Sequence, residues 1–461
     1  YIRADGNSQI GLGHLIRCFA LANMVKDNFE VSFVSKEIPE QTKIEFENSF
    51  AVKKIDNEKD FLDLVKSNDT VLLDGYNFDT DYQKEIKNKN CNLICIDDLH
   101  DKKYEADLII NHAPGIKAEN YNSNLFTQFA LGTGYALLRP EFIEQALKER
   151  QINRIEKVFI CFGGADMNNL TESVLKQVLN FTEFTKIIVV TGSAYIHKDK
   201  LNLLTSSDTR IEHLHSVDSK KMCKLMSGSD LAIVPSSGIL LEALACGCKV
   251  ISGMTADNQK YVYSNYLMTE AFMDAKMFED ENVSTAIDKA INNSTHGKKI
   301  IDGKSKERLS KLFNQIVLKN TVSLKKATIE DLQTTYEWAA DPIVRAFSFS
   351  KHEISFEEHS SWFTKKISDE NCLYLIAEMN GEKIGSIRFD LNNNEAIISY
   401  LIAPKFHGKG LGLIILTNGL HFLQNEIQKS SLNVKNVIGF VMEENIPSVK
   451  AFERLGFKKT I

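Results

Sequence analysis

The chain has 461 residues, 43% of them hydrophobic and 25% charged, with a formal net charge of −6. That length holds roughly three domains of ordinary size, and the composition is that of a soluble globular protein. The negative charge and the lack of a basic stretch interleaved with aromatics argue against nucleic acid as the main partner. No run reaches the ~18 consecutive apolar residues of a membrane span, so a cytoplasmic location without stable membrane contact is expected. The sequence opens without Met on what reads as the tail of a strand, and it ends at KKTI where another strand is due. It is therefore expected to be a trimmed piece, which lessens the weight of a missing leader. Eight cysteines are scattered, mostly in apolar segments; Cys91/Cys95 and Cys246/Cys248 are close pairs, but neither has a second pair at metal spacing. Reduced, buried thiols and no metal site are expected.

In chain order, Tyr1–Ala4 reads as strand, Asp5–Gly13 as loop, and Leu15, Phe19 and Ala22, with Ile16 and Ala20 beside them, as a helix. Gly11 and Gly13 let backbone approach a ligand, and the first amides of the helix point at whatever sits there. His14 stands at that positive end, which disfavours its charged form and leaves an imidazole able to accept a proton. A histidine that merely caps or packs the helix start is the alternative.

VSFVS, TVLLDGY, NLICIDD and DLIINH follow as short β-branched runs, each succeeded by turn residues and a helical stretch. This is the pattern of a parallel sheet covered on both faces. The rhythm pauses at YALLRPEF and restarts with KVFICFGGAD, KIIVVTG, RIEHLH, LAIVPSSG and KVISGM. Two such halves make a two-Rossmann architecture whose ligands sit at the carboxyl ends of the strands. There the second half offers Gly163 and Gly164 with Asp166 behind them. Ser236, Ser237 and Gly238 open a helix containing Glu242, and Asn258 and Gln259 follow a further strand. Hydroxyls and amides at a helix start suit a diphosphate, and a carboxylate one turn later suits ribose hydroxyls. Ordinary strand-to-helix turns use the same residue types; what favours a site is three such turns on one edge.

A helix is expected near Asp302–Leu318, followed by a short connection at KNTVSL. ATIEDL reads as a helix start with Thr328 as N-cap and Asp331 three residues on. LYLIAEMNGEKIGSIRF reads as a hairpin turning at NG, with the strand IISYLI next. A basic glycine-rich loop, His407-Gly408-Lys409-Gly410-Leu411-Gly412, then precedes a long apolar-periodic helix and can wrap amides around a pyrophosphate.

Taken together, IGLGHLIR, YALLRPEF, CFGGAD, PSSG…EAL and ADNQ resemble the UDP-sugar hydrolases of the pseudaminic acid pathway, GT-B-type relatives of the glycosyltransferase MurG. The resemblance spans Tyr1 to about Leu318. It implies inverting hydrolysis of UDP-2,4-diacetamido-2,4,6-trideoxy-β-L-altropyranose, a step towards bacterial surface glycans such as those of flagellin. It also implies His14 as the base that activates water. Asp5, Gly11, Gly13, Arg17 and Tyr76 fall on the sugar side, with Gly163, Gly164, Ser236, Ser237, Gly238, Glu242, Asn258 and Gln259 on the UDP side. Many family members have Gly-Gly-Ser-Thr before the glutamate; here Ser236-Ser237-Gly238-Ile239 moves the hydroxyls two positions earlier.

The segment from Val322 to Ile461 resembles the GNAT superfamily. The loop after YLIAPKF matches its acetyl-CoA loop, and ENIPSVKAFERLGF matches its Asn…Tyr…Gly-Phe stretch. The resemblance implies acetyl-CoA as co-substrate, held by Ile402, His407, Gly408, Lys409, Gly410, Gly412, Asn445 and Ser448. His407 replaces the usual Arg/Gln. Phe452 replaces the tyrosine that often protonates the leaving thiolate, and Glu395 is considered as a base, against a solvated strand end. The expected architecture is α/β: two Rossmann-like domains of GT-B type (1–142 and 143–319) followed by a GNAT α+β domain (322–461). In the pseudaminic acid pathway an acetyltransferase makes the substrate that the hydrolase consumes, so a bifunctional enzyme is the favoured reading. A MurG-like glycosyltransferase and a non-catalytic nucleotide-sugar sensor are the rivals.

Overall fold

The computed structural model describes residues 1–7, 10–124, 126–292, 299–392, 394–430 and 434–460. Ser8 and Gln9 of the opening loop and Ile461 thus lie outside the described residues. The chain divides into two compact units, Tyr1–Leu312 and Phe313–Ile461.

Among the described residues, nine strands form in the first part of unit one: β1 (Ile2–Ala4), β2 (Ser32–Ser35), β3 (Ala51–Lys54), β4 (Thr70–Asp74), β5 (Asn92–Ile96), β6 (Lys103–Tyr104), β7 (Leu108–Asn111), β8 (Asn122–Ser123) and β9 (Gln128–Leu131). Seven of them make one parallel sheet in the order β3-β2-β1-β4-β5-β7-β9, while β6 and β8 pair separately. β5 and β7 are buried along their whole length, as strands covered on both faces must be. The helix Gly13–Val25 buries Leu15, Cys18, Leu21, Ala22 and Val25, a stripe at three- and four-residue spacing. Phe19 flanks that stripe and stacks on Phe46, ring centroids 4.5 Å apart.

The second sheet is also parallel. It comprises β10 (Lys157–Ile160), β11 (Lys186–Thr191), β12 (Ile211–His215), β13 (Leu231–Pro235), β14 (Lys249–Gly253) and β15 (Met273–Asp274), ordered β12-β11-β10-β13-β14-β15. The expected interruption at Pro140 is a helix start: the proline opens the helix Pro140–Ala146, where its missing N–H has no partner to lose. Phe142 and Ala146 of that helix pack with Phe159 and Leu240 in the core of the second sheet.

Both sheets have a topological switch point. The strand order turns outward in opposite directions from β1/β4 in the first and from β10/β13 in the second. Crevices at the carboxyl ends of such strand pairs are where open α/β sheets bind ligands.

Unit two holds a sheet in the order β16-β17-β18-β19-β20: β16 (Val322–Lys326), β17 (Cys372–Met379), β18 (Glu382–Asn392), β19 (Glu395–Ile402) and β20 (Asn436–Gly439). All pairs are antiparallel except β19–β20. The hairpin turns at Asn380-Gly381, both with positive φ, as the sequence predicts. Thr328 and Asp331 form the predicted capping box, on a short 3-10 turn that leads into the helix Leu332–Ala340. The expected connection at KNTVSL is no loop. The helix Ser305–Thr321 runs to the residue before β16, because nothing in Lys319-Asn320-Thr321 breaks it.

Candidate functional site

At the first switch point β1 leads through a loop into the helix bearing His14, and β4 ends on Asp74. Gly11 has φ +79°, a left-handed conformation that only glycine adopts cheaply, and a Cβ on Gly11 or Gly13 would meet nothing within 4 Å. The backbone here borders open space. Leu12 precedes the helix without a capping side chain, so the first-turn amides are not capped by it.

His14 Nδ1 lies 2.7 Å from Asp74 Oδ1. Arg17 grips the same carboxylate with both Nε and Nη2, each at 2.6 Å, and reaches Asp98 with Nη1 at 2.7 and 2.9 Å. Asp74 is buried, which alone would raise its pKa; Arg17 and His14 overrule burial and hold the carboxyl well below the usual range. Asp74 is therefore an anion facing Nδ1 of His14, placed to accept a proton carried there; Arg17 Nη2 also lies 3.2 Å from that nitrogen. The sequence names only the helix start as an influence on the imidazole. The structure adds a buried carboxylate and the Arg17 guanidinium, both beside Nδ1.

Tyr76, 43% exposed, packs edge-on against the His14 ring with centroids 4.9 Å apart, and its hydroxyl points at Asp98. Burial, then Asp98, push its phenol up to about 12. Asp5 accepts two 2.7 Å bonds from buried Arg3 and two more from the Lys36 and Glu37 amides. Those four bonds make Asp5 a brace for the loop.

Three residues escape the motif reading: Asp74, Asp98 and His112. Each follows or ends a strand (β4, β5, β7), and the visible signal is a polar residue terminating an apolar run. His112 is buried, its own carbonyl accepts from the Tyr266 hydroxyl at 3.1 Å, its Nδ1 has no hydrogen-bond partner among the described residues, and burial lowers its pKa to about 4.

At the second switch point Gly163 has φ +82°, and a Cβ on Gly163, Gly164 or Gly238 would meet nothing within 4 Å. Ser237 sits in the N-cap position of the helix Gly238–Ala245 without bonding its amides. Those amides and the two glycines border one open edge. The remaining expected residues are placed differently. Ser236 is buried, with its hydroxyl 2.9 Å from that of Ser252. Glu242, expected to face a ribose, is buried and bound by Arg139 through Nε (3.1 Å) and Nη2 (2.7 Å), both on Oε1. Burial raises its pKa against the pull of Arg139. Gln259 turns its amide onto Thr255, accepting from the backbone N–H at 2.8 Å and donating to Oγ1 at 2.9 Å. Asn258 is exposed.

In unit two the loop His407–Gly410 is exposed and leads into the helix Leu411–Ser430. Gly408 and Gly410 have φ +76° and +75°; a Cβ on the first would meet nothing, and on the second only Gln315 Nε2 at 3.5 Å. The result is a backbone cradle open at a long helix's start, which fits a pyrophosphate. His407 Nε2 bonds the Ile402 carbonyl oxygen at 2.9 Å, anchoring the loop to the end of β19. Lys409 Nζ lies 4.8 Å from the Phe406 ring centroid. Asn445 Oδ1 caps the helix Ile446–Arg454 by accepting from Ser448 N at 3.3 Å. Glu395 is exposed at the far end of β19. Seven residues at about 3.3 Å each put it ~23 Å along the strand from Ile402.

Residues 321–458 match the family model described as Acetyltransferase (GNAT) domain. The C-terminal segment is a GNAT domain. Within it, Gly408 and Gly410 take the left-handed conformation before the helix Leu411–Ser430, and Phe452 packs against Tyr400 and Phe457. Three relatives extend the comparison. The chain is 28% identical over 484 aligned residues to the uncharacterized protein MJ1062 of Methanocaldococcus jannaschii, covering 100% of this chain and 96% of that one. It is 28% identical over 249 residues to the UDP-2,4-diacetamido-2,4,6-trideoxy-β-L-altropyranose hydrolase of Campylobacter jejuni, covering 52% of this chain and 86% of the hydrolase. It is 24% identical over 336 residues to the spore coat polysaccharide biosynthesis protein SpsG of Bacillus subtilis, covering 68% and 97% of the two. The chain joins an N-terminal region similar to these two proteins to a GNAT domain. Among the described residues no helix is long and apolar enough to cross a membrane, and no cluster of His, Cys, Asp and Glu has the geometry to hold a metal ion. All eight cysteines are free and buried.

Proposed function

We propose that the chain catalyses two steps on one nucleotide sugar. The GNAT domain N-acetylates a UDP-4-amino sugar with acetyl-CoA, and unit one then hydrolyses UDP-2,4-diacetamido-2,4,6-trideoxy-β-L-altropyranose to the free sugar and UDP. The observation that carries the second step is the His14–Asp74 pair at a switch point, together with the similarity to a hydrolase of that substrate.

Asp74 holds the Nδ1–H of His14, so Nε2 takes a proton from water as the water oxygen bonds to the anomeric carbon. The bond from that carbon to UDP breaks on the opposite face, its electron pair leaving with the phosphate, and the configuration inverts. The leaving group's charge falls on the amides around Gly163, Gly164 and Gly238, with Ser237 beside them. Tyr76 and Arg17 border the sugar side. Glu242 meets the nucleotide through Oε2, since Arg139 occupies Oε1.

The intact protein is given the UDP-4-amino sugar and acetyl-CoA in heavy-oxygen water, and the products are read by mass spectrometry. The expected result is acetylated free sugar carrying the label at its anomeric oxygen, with unlabelled UDP. Label in UDP, or UDP release only when an acceptor sugar is added, overturns the hydrolytic reading. No acetylated product at all overturns the consecutive-step reading.

A further inference from the structure

Three adjacent strands of the first sheet, β4, β5 and β7, lead into polar residues at their carboxyl ends: Asp74 closes β4, Asp98 follows β5 and His112 follows β7. Asp74 and Asp98 are both spent on Arg17, and Asp74 faces His14 as well. On the other side of β1 the edge is closed, because Asp5 holds the Lys36 and Glu37 amides that follow β2. A sugar whose anomeric carbon faces His14 therefore has its polar surroundings on the β5 and β7 side. Neighbouring strands lie about 4.8 Å apart, so β7 runs ~10 Å from β4. A pyranose ring reaches across that gap with the substituent on the carbon opposite the anomeric one.

The backbone around His112 is fixed by its neighbours. Asn111 spends its side chain on the Tyr121 hydroxyl and on the Ala113 amide, each at 2.9 Å. Tyr266, which holds the His112 carbonyl, belongs to the helix Lys260–Leu267 that follows Asn258 and Gln259. The residue carried on this backbone is 7% exposed, and its Nδ1 is left unpaired among the described residues. A buried ring nitrogen without a partner costs free energy that a ligand group can recover. The charged groups near enough to act on the ring are Asp98, Arg17 and Asp74, so it borders the network around His14. Burial outweighs Asp98 and keeps the ring neutral at pH 7. A neutral imidazole offers one donor and one acceptor, the complement of an amide, and brings no charge to a phosphate.

We propose that His112 binds the acetamido group on the sugar carbon opposite the anomeric one, and so selects the acetylated UDP-sugar for hydrolysis. This rests on the hydrolase reading above. Before acetylation the same carbon carries a primary amine, which has no carbonyl to accept the imidazole N–H. The amine leaves that buried donor unpaired; the acetamido group satisfies it. The ring thereby sets the order of the two steps, with UDP released only after the acetyl group is in place.

The test uses the full chain without acetyl-CoA, so that the UDP-4-amino sugar stays unacetylated, and compares UDP release from it and from the diacetamido sugar. Wild type is expected to favour the acetylated sugar in kcat/KM by about 10²-fold. His112→Leu, which fills the ring's space with apolar atoms, should lower kcat/KM for the acetylated sugar about 10²-fold and for the amine less than about threefold. Its UDP Kd should stay within about twofold of wild type. His112→Asn, which keeps a donor and an acceptor near the Nδ1 position, should retain at least about tenfold of the preference. A wild type that favours neither sugar, an unchanged preference in His112→Leu, or an equal loss on both sugars overturns the proposal. Should His112→Leu not fold, nitrogen-15 NMR of the imidazoles in His14→Asn protein reads the same contact. The His112 resonances, assigned by their loss in His112→Asn, should shift with the acetylated UDP-sugar and not with UDP; no shift overturns the contact. If wild type releases UDP from neither sugar but the shift appears, hydrolysis falls and the His112 contact stands. If neither sugar binds, both fall.

Discussion

The two candidate sites of this chain are built from different materials. At the β1/β4 switch point, side chains dominate: His14, Arg17, Asp74 and Asp98 bond one another in a partly buried network. At the β19 end, backbone dominates: two left-handed glycines and a helix start form an exposed cradle, with one phenol and one hydroxyl behind it. Water is a poor nucleophile that must lose a proton, so its activation needs a base held by a countercharge. A pyrophosphate arrives already charged and needs only aligned amides. The charged network should therefore be sensitive to loss of a single charge, and the cradle to any added atom.

The largest expected effect is on the network. Arg17→Ala leaves buried Asp74 without its bidentate partner and is expected to destabilise unit one by about 3–5 kcal/mol, as breaking buried pairs does. Chemical denaturation followed by far-UV circular dichroism measures it; a loss under about 1 kcal/mol would mean that solvent reaches Asp74 freely. The matching test on the cradle is Gly410→Asp. The site needs φ +75°, and the new carboxylate faces the pyrophosphate. CoA affinity in a titration should fall at least about 10²-fold while UDP release from the pre-acetylated UDP-sugar stays normal. Unchanged CoA affinity would show that the loop is not the cradle.

A smaller effect is expected from pH. Burial depresses His112 from 6.5 to about 4, so between those values the unfolded chain binds a proton that the folded one does not. Stability should thus fall as pH drops through that window and level off below it, by about 2 kcal/mol between pH 7 and 5. His112→Asn should flatten that slope in denaturation series at the two pH values. An identical slope would show that His112 is hydrated in the folded state. The smallest effect concerns Gln259, whose side-chain amide is spent on Thr255. Gln259→Ala should cost about 1 kcal/mol of stability and shift UDP affinity less than about threefold. A tenfold or larger loss of UDP affinity would return Gln259 to the ligand.

What could be read from sequence follows the same division. Parallel core strands such as NLICI and LIIN announce themselves as unbroken apolar runs, and the glycine cradle lies in one contiguous stretch. Ala51–Lys54 escapes because an edge strand with two lysines has no apolar run to show. The Asp74 partner of His14 escapes because it is 60 residues away and meets it only after β1 and β4 pair. The Arg139 partner of Glu242 escapes because it is 103 residues distant, and the spacing of Glu242 from Ser237 says nothing of it. Local backbone sites are written locally; charged networks are written across the fold.

In the proposed hydrolysis His14, beside Asp74, takes the proton of water. Its most direct test is UDP release by His14→Asn from UDP-2,4-diacetamido-2,4,6-trideoxy-β-L-altropyranose, measured alongside UDP affinity. The rate is expected to fall by about 10² or more, with the UDP Kd within about twofold of wild type. UDP release at the wild-type rate would contradict it.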